Sequence, residues 1–574
     1  MTPSPVETQW CIPEPDYPAF RSFCSKHDLQ GVLAELLFAK NMQTSGDLHS
    51  FLHPASNPLA DPFGLTDMDK AVERLHAAHE KQEHVRIIGD YDVDGISATA
   101  LMVRGLRALG IENVSYALPD RLEDGYGLNN ALLESALRDS VSLVITVDNG
   151  IMAHESATFA HEHNLDLIIT DHHSLGDTLP EACAVLNPKR DASDAPLANI
   201  CGAAMAFQLC TALNKSPQNL ALVALATIAD VMPLHGENRI LTHLGLQEIQ
   251  HGEQPGIQAL LRIAKIQSKR LRAEDIAFQI APRINASGRL GSGGNALDLL
   301  LADDPDEADY LASQLNMINE DRKEVEREIT RSALEMLEDY DLDSKRCIVL
   351  ANDDWHPGVI GIVASKLQHQ FQKPVALIAL DENGVGRSSA RSNDAFSLIN
   401  AFQNCGHLFV KFGGHRNAAG MTIDRANIAA FQEAMEAEAA DQSTLTQPVK
   451  SIHINAILPF TTVDNELLGD IDRFEPMGHA NPSPVFATFG VKPVLGSARA
   501  LKGGHLQCTF EHDKRTFRAI GFNMADRFDP GNLPSKVDIA YIPKFNHWQG
   551  NTTIQLHLVD IKDSKNNSIL HESA

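Results

Sequence analysis

Cysteine is scarce in this 574-residue chain, and its eight cysteines are scattered along the sequence. None forms a C-x-x-C pair or stands at a zinc-ligand spacing, which argues against a zinc site or a disulfide framework and predicts reduced thiols. The chain also lacks an apolar run long enough to cross a bilayer. Its first residues, MTPSPVETQWCIPEPDYPAF, lack the basic start and apolar stretch of a secretory signal. We therefore expect a cytoplasmic protein with no membrane partner.

Basic residues are also in short supply, because 48 lysines and arginines stand against 75 acidic residues and the net charge is −27. This balance argues at first against a polyanionic substrate, since phosphate binding usually depends on a basic face. The objection is incomplete, because many of the acids can lie away from a binding groove. Acids that hold a metal ion also have their local charge reversed.

What the chain does contain is a length and a pattern that predict several domains. From residue 85 to about 235, aliphatic runs alternate with helical stretches, which is typical of βαβ units and a parallel sheet. Helices are predicted from Ile96 and from Met152. The predicted strands are VRIIG, VSYALP, SLVITV, LDLIIT and AVLNP.

The pattern divides the chain into five predicted segments. A charged helical stretch connects two α/β regions, and short strands with turn glycines after a polar linker indicate a small barrel. The predicted segments are an N-terminal support at 1–80, a parallel-sheet α/β domain at 81–310, a long connecting helix at 311–340, a smaller α/β domain at 341–440 and an OB-like β-barrel at 450–574.

Acidic and imidazole side chains follow three of the predicted strands at the point where each strand ends. Because ligands lie outside the carboxyl ends of strands in an open parallel sheet, we expect these three tips to meet at one cleft. Asp230, after the apolar stretch ALVALATIA, is expected to reach the same cleft from a helix. The residues at the tips are Asp90, Asp92 and Asp94 after VRIIG, Asp148 after SLVITV, and Asp171, His172 and His173 after LDLIIT.

Carboxylates crowded into one cleft repel one another and raise one another's pKa values unless cations lie between them. Carboxylate and water ligands favour magnesium or manganese, and imidazoles shift the preference towards manganese over calcium. A pair of such ions activates a bridging hydroxide and neutralises the charge that develops on a phosphate. The constellation therefore predicts phosphoester hydrolysis with two Mg²⁺ or Mn²⁺ ions as cofactors. Each motif alone is more often an ordinary loop, so the prediction depends on their coincidence.

The motifs DYDVDG, TVDNG and TDHH, in this order and spacing, resemble those of the DHH phosphoesterase superfamily and in particular its bacterial single-strand exonucleases. The resemblance implies a DHH catalytic domain at 81–310, a DHH-associated substrate-binding domain at 341–440 and a nucleic-acid-binding barrel at 450–574. It is weakest over 1–80. It extends through LPDRLEDGYGLN, ATIADVMPL, PRINASGRLG, WHPGVIGIVASKL, GRSSARS and GGHRNAAG.

The resemblance also implies a catalytic role for each residue of the constellation. His173 is expected to face the scissile phosphate as a charge stabiliser or proton donor, and Asp171 to orient an imidazole. Asp148 is expected to bridge two ions. Carried over by position, the metal ligands are Asp92, Asp94, Asp148, His172 and Asp230.

One position departs from the superfamily pattern. Ile88 stands where other members place a histidine, four residues before the first metal-binding aspartate. One metal site is therefore short of a ligand. Asp90, His173 or water must complete it.

Predicted substrate-binding residues lie outside the metal cluster, in three stretches. PRINASGRLG is loop-like, so its polar side chains are expected either to grip phosphates or to form a surface turn. In GRSSARS, alternate residues would share one face of a strand. GGH resembles the phosphate-binding loop of the DHH-associated domain, where glycines allow close backbone approach. The candidates are Arg283, Asn285, Ser287 and Arg289, then Arg387, Ser389 and Arg391, then Gly413, Gly414 and His415.

Other candidates have an equally good structural interpretation. His356 is expected either in the cleft or in a strand-to-helix turn beside Trp355. Arg121 and Tyr126 are expected to touch the strand by charge and stacking, or to form an ordinary turn. The barrel carries a mixture of basic and aromatic residues that is typical of single-strand platforms. These are Lys502, His505, Arg515, Arg518, Lys544, Phe545 and Trp548.

The leading interpretation is a 5′–3′ exonuclease that hydrolyses phosphodiester bonds of single-stranded DNA in recombination and mismatch repair. The direction and the expected partners, a single-strand-binding protein and a helicase, come from the resemblance. One alternative is a DHH phosphodiesterase of cyclic dinucleotides or short oligonucleotides, which would need no barrel. Another is an inactive DHH-type replication scaffold, against which the intact set of ligands argues.

Overall fold

The computed structural model describes residues 8–14, 16–119, 127–216, 218–266, 270–291, 293–342, 344–442, 451–525, 534–548, 551–564 and 569–573. The chain divides into a larger unit, residues 59–232 and 236–448, and a barrel unit, residues 2–58, 233–235 and 449–574. Residues 1–80, predicted as one supporting segment, are divided between the two units. Within the described ranges, no helix is both long and apolar enough to span a membrane.

The barrel unit begins with strand β1 (Gln9–Glu14) and helices α1 (Tyr17–His27), α2 (Gly31–Ala39) and α3 (Ser45–Leu52). Apolar side chains from these helices, Phe23 and Leu37 among them, lie in one buried cluster with Phe486 and Tyr541 of the C-terminal region. This shared core explains why the N-terminal helices group with the barrel.

The larger unit opens with α4 (Met68–Lys81) and a five-stranded parallel sheet in the order β3-β2-β4-β5-β6. The strands coincide with the five predicted ones, and β2 and β4 are buried along their whole length because helices cover both faces. The order reverses between β2 and β4, which is where ligands bind in sheets of this kind. The elements are β2 (Val85–Ile88), α5 (Val93–Leu109), β3 (Val114–Ala117), α6 (Asn130–Arg138), β4 (Leu143–Val147), α7 (His154–Glu162), β5 (Asp166–Thr170) and β6 (Ala184–Leu186).

A run of helices follows the sheet. One of them corrects the sequence interpretation, because PRINASGRLG is not a loop but forms α13, with Pro282 in its first turn, where proline is compatible with a helix. A π-helical turn, Ile276–Ile280, precedes it. The helices are α8 (Gly202–Asn214), α9 (Leu220–Ala229), α10 (Gly236–His251), α11 (Pro255–Ile263), α12 (Ala273–Asp275), α13 (Ala281–Leu290) and α14 (Gly294–Leu301).

The connecting helix, α15, runs from Pro305 to Glu338 and so begins earlier than the predicted residue 311. Asp304 caps its start, because the Asp304 carboxylate accepts hydrogen bonds from the N–H groups of Asp306 and Glu307. An aspartate followed by proline is a helix-start signal that a search for apolar periodicity overlooks.

The larger unit ends with a mixed five-stranded sheet in the order β10-β11-β9-β8-β7. β7 and β8 are parallel, and the other neighbours are antiparallel. Its core includes Phe402 and Phe431. The elements are β7 (Ile348–Asn352), α16 (Ile360–Phe371), β8 (Val375–Leu380), β9 (Val385–Arg391), α17 (Leu398–Asn404), β10 (Phe409–Gly414), β11 (Ala418–Asp424) and α18 (Ile428–Gln442).

The rest of the barrel unit is mainly β-structure. Five strands pair side by side in the order β14, β18, β19, β17 and β16. The first and last of them, β14 and β16, meet through only two residue pairs, so the five-stranded barrel is partly open, as in OB-folds. β1 pairs with β12 and β20. The elements are β12 (Ser451–His453), β13 (Ala456–Ile457), α19 (Asn465–Asp472), β14 (Phe486–Pro493), β15 (Arg499–Leu501), β16 (His505–His512), β17 (Arg515–Gly521), β18 (Val537–Trp548), β19 (Asn551–Asp563) and β20 (Ile569–Ser573).

Candidate metal centre

The segment after β2 turns directly into α5, three residues earlier than the predicted start at Ile96. Asp92 caps this helix, because its Oδ1 accepts the N–H groups of Asp94 at 2.9 Å and of Gly95 at 3.1 Å. Gly95 is required by the tight turn, since a Cβ there would lie 2.5 Å from the Asp90 nitrogen. The turn therefore brings three aspartates to the carboxyl end of β2.

Asp94 is buried and held by the start of α8. Its two carboxylate oxygens accept the N–H groups of Gly202 and Ala203, each at 2.7 Å. These N–H groups belong to the first turn of a helix, where they have no intrahelical acceptor and the helix dipole favours an anion. The fixed orientation of Asp94 is thus set by a segment more than a hundred residues further along the chain.

Asp148 follows β4 in a left-handed backbone conformation, with φ of 64°, and is buried. The next residue, Asn149, ties the tips of two strands together, because its Nδ2 donates to the carbonyls of Ile88 at 3.1 Å and Val147 at 2.9 Å. Asn149 Oδ1 accepts the Leu128 N–H. This buried amide fixes the switch point between β2 and β4.

The two histidines after β5 have different partners. His172 Nε2 lies 3.0 Å from Asp148 Oδ1, 3.5 Å from Asp94 Oδ2 and 3.6 Å from Asp230 Oδ2. Asp230 ends α9 and approaches from the helix side, as predicted. His172 is therefore the residue at which the separate segments converge.

His173 is paired with Asp171 instead. Asp171 Oδ1 accepts both the Nδ1–H and the backbone N–H of His173, at 2.7 Å and 2.9 Å, and Asp171 Oδ2 accepts the Ile151 N–H. The predicted orienting role of Asp171 thus has a geometric basis for His173, which is only partly buried.

The electrostatics of the cluster follow from burial and like charge. Burial, then the charges of Asp94 and Asp92, raise the pKa of Asp148 well above its ordinary value and that of Asp230 to about 8. Burial also raises the pKa of Asp92, with Asp94 adding to the rise. The folded chain therefore holds these carboxylates with raised pKa values, and a bound cation would lower them by favouring the ionised form.

The two imidazoles are shifted in opposite directions. Burial lowers the pKa of His172 despite the nearby charge of Asp94, which favours the neutral imidazole that binds metal. Burial also opposes charge on His173, but the hydrogen bond with Asp171 and the charges of Asp171, Asp230 and Asp94 outweigh it and raise its pKa. The neutral ring thus faces the carboxylates, and the ring that favours the charged form lies beside them.

Three sets of side chains bring ligand atoms within 4.8 Å of one another and could hold a metal ion. The oxygen and imidazole donors fit Mg²⁺ or Mn²⁺. Asp90 shares a set with Asp92, the first metal-binding aspartate after Ile88, whereas the set that contains His173 does not include Asp92, so this geometry favours Asp90 for the site left short by Ile88. The sets are Asp90, Asp92 and Asp148; Asp94, His172 and Asp230; and Asp148, His172 and His173.

The predicted phosphate donors of PRINASGRLG are mostly engaged with protein. Ser287 is buried and donates to the Ile284 carbonyl, because helical geometry turns it inward, so its predicted availability to a phosphate is wrong. Asn285 Oδ1 accepts the Val93 N–H and so supports the metal-site turn. Arg283 Nε donates to Asn316. Arg289 donates to the Gly358 carbonyl at 3.3 Å and links the two α/β regions.

The predicted row on GRSSARS lies on a strand, β9, as expected. Arg387, Ser389 and Arg391 share one face, opposite the buried Ala390. Arg391 Nη1 donates to Ser389 Oγ at 3.0 Å. Gly361 of α16 approaches this pair so closely that a Cβ there would lie 2.9 Å from Ser389 Oγ. The row is therefore a compact donor set beside a helix.

Gly413, Gly414 and His415 form the tip of the β10–β11 hairpin and are exposed. Gly414 is needed there, since its φ is 144° and a Cβ would meet Ala419 at 2.5 Å. His356 lies in a turn, where its Nδ1 accepts the Gly358 N–H, which is the strand-to-helix interpretation. The candidates Arg121 and Tyr126 lie outside the described residues.

The barrel carries a polar row across three strands. Arg518, Gln555 and Lys544 are register neighbours on β17, β19 and β18. Further along the same face of the sheet, the exposed Phe522 ring contacts the rings of His505 and His557, with centroid distances of 5.1 and 5.7 Å. Sequence reasoning missed Phe522 and His557.

Three predicted barrel residues fall elsewhere. Phe545 shares the face of buried Tyr541, and Arg515 the face of buried Ala519, because side chains alternate along a strand. Lys502 lies in the exposed turn before β16. The side chain of Trp548 is outside the described part of the chain.

Comparisons with known proteins match most of the chain. Three family models match: the N-terminal domain of the DHH family over residues 84–232, the DHHA1 domain over 344–441 and the RecJ OB domain over 454–560. The single-stranded-DNA-specific exonuclease RecJ of Bacillus subtilis is 33% identical over 562 residues, which cover 96% of this chain and 70% of that protein.

Two solved structures of RecJ from Thermus thermophilus share the fold. The structure in complex with Mn²⁺ has a TM-score of 0.83 and 30% identity, covering 99% of this chain and 81% of that chain. The structure in complex with Mg²⁺ has a TM-score of 0.78 and 29% identity, covering 98% and 79%. The likeness therefore includes both compact units.

Proposed function

The chain belongs to the RecJ family of DHH phosphoesterases, and from that premise we propose that it is a metal-dependent exonuclease of single-stranded DNA. It hydrolyses phosphodiester bonds, as its relatives named single-stranded-DNA-specific exonucleases do. Mg²⁺ or Mn²⁺, the ions bound in the Thermus structures, are its cofactors. The observation that carries this proposal is the meeting of Asp92, Asp94, Asp148, His172 and Asp230 at the carboxyl edge of one parallel sheet.

The metal ligands divide into two groups. Asp90, Asp92 and Asp148 would hold one ion, and Asp94, His172 and Asp230 the other, with Asp148 3.0 Å from His172 and so placed to serve both. Bound ions would supply an activated water and neutralise the charge that develops on a phosphate. Asp94 keeps its orientation through two backbone donors, so the site is preorganised before substrate binds.

His173 lies beside the ligands and belongs to neither of these two groups. Its Nδ1–H is held by Asp171, which leaves Nε2 directed away from that carboxylate. A charged imidazole in this place stabilises negative charge on the phosphate or gives its Nε2 proton to the leaving oxygen. Asp171 is the residue that positions it.

A donor set on a second domain is the proposed clamp for the strand. Arg387, Ser389 and Arg391 share one face of β9, and Arg289 joins this region to the metal-binding domain through the Gly358 carbonyl. Guanidinium groups bind phosphate oxygens in pairs, which a row along a strand can repeat on a sugar-phosphate backbone. The hairpin tip with Gly414 and His415 offers exposed backbone close by in sequence.

The barrel face is the proposed reason for the single-strand preference. Phe522 presents an exposed ring, and Arg518 and Lys544 lie further along the same face. Aromatic rings stack on the bases of unpaired strands, and cations follow the backbone. A duplex hides its bases from such a platform.

Some parts of the proposal go beyond what the relatives' names say. A 5′–3′ direction, roles in recombination and mismatch repair, and partnership with a single-strand-binding protein and a helicase remain predictions from the family resemblance. A cytoplasmic location and the number of two ions remain predictions from the sequence.

A nuclease assay tests the proposal. The protein is incubated with Mg²⁺ or Mn²⁺ and end-labelled single-stranded DNA, duplex DNA or a cyclic dinucleotide. We expect hydrolysis of the single strand, with mononucleotides released at once from a 5′ label. Asp94→Ala should abolish it, whereas Glu112→Gln, an exposed acid at the opposite edge of the sheet, should not.

Each other outcome favours a named alternative. Preference for the cyclic dinucleotide would show a phosphodiesterase of small substrates. Binding of single strands without hydrolysis in either metal would show an inactive scaffold. Immediate release from a 3′ label alone would keep the exonuclease and reverse its direction.

A further inference from the structure

The turn after β6, residues Pro188–Arg190, is tied to the histidine loop by one buried amide. Asn187 Nδ2 donates to the His173 carbonyl at 3.0 Å, and Asn187 Oδ1 accepts the Lys189 N–H at 2.9 Å. Asn187 is 1% exposed, so both bonds are protected from water. The backbone of Lys189 is therefore fixed with respect to His173.

The two cations of this turn have different surroundings. Arg190 Nη1 is paired with Asp67 Oδ2 at 2.7 Å and also donates to the Val185 carbonyl. Lys189 is exposed, and none of the acidic side chains in the described ranges forms an ion pair with it. Arg190 thus has a structural partner, whereas the Lys189 ammonium faces solvent.

Lys189 also lies close to the metal centre in the fold. Its N–H donates to Asn187 Oδ1, and the amide nitrogen of Asn187 donates to the carbonyl of His173. The Nδ1 atom of His173 lies 4.0 Å from Asp148 Oδ1. The exposed Lys189 therefore lies at the rim of the site and not on a remote surface.

We propose that Lys189 is a substrate-binding residue, which holds a backbone phosphate of the strand next to the scissile one. This inference rests on the proposed function. A chain with a net charge of −27 repels a polyanion, so a mobile cation at the rim of an acidic site lowers that repulsion where the strand enters. A lysine ammonium is a suitable phosphate partner because it is a point charge on a flexible stem.

The salt dependence of substrate binding tests this role. Each phosphate neutralised on a single strand contributes about 0.7 to the slope of log affinity against log salt. We expect Lys189→Gln to reduce the slope by about 0.7 and to raise KM for single-stranded DNA roughly 10-fold at low salt. The kcat should stay within about 3-fold of wild type, and Lys189→Arg should restore the slope because it keeps the charge.

Two variants serve as matched controls. Arg190→Gln should lower the melting temperature, because it removes the partner of Asp67, and leave the salt slope unchanged. Lys81→Gln, at the end of α4 on the opposite edge of the sheet, should change neither.

Specific results would overturn the inference. An unchanged slope and KM in Lys189→Gln, with wild-type DNA hydrolysis intact, would remove Lys189 from the substrate path and leave the proposed function standing. A loss confined to melting temperature or kcat would show that Lys189 only offsets the acidic cluster. Should the wild type fail to hydrolyse DNA, the slope is measured from binding of a labelled oligonucleotide and decides the role of Lys189 alone.

Discussion

Gly202 lies so close to Asp148 that a Cβ on it would stand 2.5 Å from the Asp148 Cβ. The same glycine donates its N–H to Asp94. We expect Gly202→Ala to displace one or both carboxylates and to lower kcat about 100-fold, since shifts near 1 Å have such effects on catalytic geometry. Steady-state nuclease kinetics measure kcat of Gly202→Ala against that of the wild type.

The matched control is Gly64→Ala, because a Cβ at Gly64 meets nothing within 4 Å. It should leave kcat unchanged. Normal turnover in Gly202→Ala would show that the approach of α8 to the site has no catalytic role.

The crowding of carboxylates predicts opposite effects of Asp148→Asn on stability and activity. The pKa of Asp148 is raised by burial and by neighbouring aspartates, so its ionised form destabilises the metal-free fold at neutral pH. An amide removes that charge and tolerates the left-handed backbone at φ 64°. We expect a higher melting temperature without metal, no stabilisation by Mn²⁺, and nuclease activity at least about 100-fold lower.

Thermal melts with and without EDTA, beside Glu112→Gln as a neutral control, check this prediction. A lower melting temperature without metal, together with an intact response to Mn²⁺, would mean that Asp148 supports the fold and not the ion.

The hydrogen bond between Asp171 and His173 predicts that changing Asp171 lowers turnover without weakening metal binding. Asp171→Asn weakens the hold on His173, whose Nδ1 lies 2.7 Å from Asp171 Oδ1. We expect kcat to fall about 10–100-fold, as for other residues that orient a catalytic ring. KM and stabilisation by Mn²⁺ should be preserved.

Glu181→Gln is the control, because Glu181 makes a comparable but exposed contact with His161. Loss of Mn²⁺ binding in Asp171→Asn would instead assign the pair to the metal site.

The donor row on β9 is the proposed clamp, so a change in one of its arginines should lower the affinity for single-stranded DNA. Arg391→Lys removes the planar guanidinium that donates to Ser389, and we expect KM for single-stranded DNA to rise roughly 10-fold with little change in kcat. Arg425→Lys, on an exposed arginine of the same domain that pairs with Asp353, should have no effect. Equal KM values in the two variants would exclude the row from the clamp.

The barrel face predicts a length-dependent effect. Phe522→Ala should weaken binding of a long single strand by about 1–3 kcal/mol, the contribution of one stacked base, and leave a dinucleotide substrate unaffected. Leu495→Ala removes a fully exposed apolar side chain from the same unit and should change neither. Fluorescence anisotropy measures the affinity of each variant for the long strand. Equal losses of affinity in Phe522→Ala and Leu495→Ala would argue against stacking.

The sequence predicts the parallel sheet well because its strands are short apolar runs that end in polar residues. That pattern places Asp92, Asp148 and His172 at one edge without any knowledge of long-range packing. The contacts that hold these residues are harder to predict, because the backbone N–H of Gly202 binds the Asp94 carboxylate across more than a hundred residues of sequence. An alanine-rich helix start such as CGAAMAF carries no chemical signal of its own.

Two interpretations differ from the structure for local reasons. Pro282 and Gly288 indicate a loop when considered alone, yet proline fits the first turn of α13. Gly288 allows the helix to approach Tyr91, whose carbonyl would lie 2.6 Å from a Cβ at that position. Residue type alone leaves open whether Phe545 lies on the binding face or in the core, whereas the strand register turns it towards the core side. Register depends on a bulge that composition does not reveal.

The position of the metal ions is the most direct test of the account. Crystals grown with Mn²⁺ give an anomalous difference map at the manganese edge. We expect peaks bounded by Asp92, Asp148, His172 and Asp230, with Asp90 coordinating in place of the absent histidine at Ile88. Peaks elsewhere with none at this edge of the sheet, from a protein that still degrades single-stranded DNA, would contradict it.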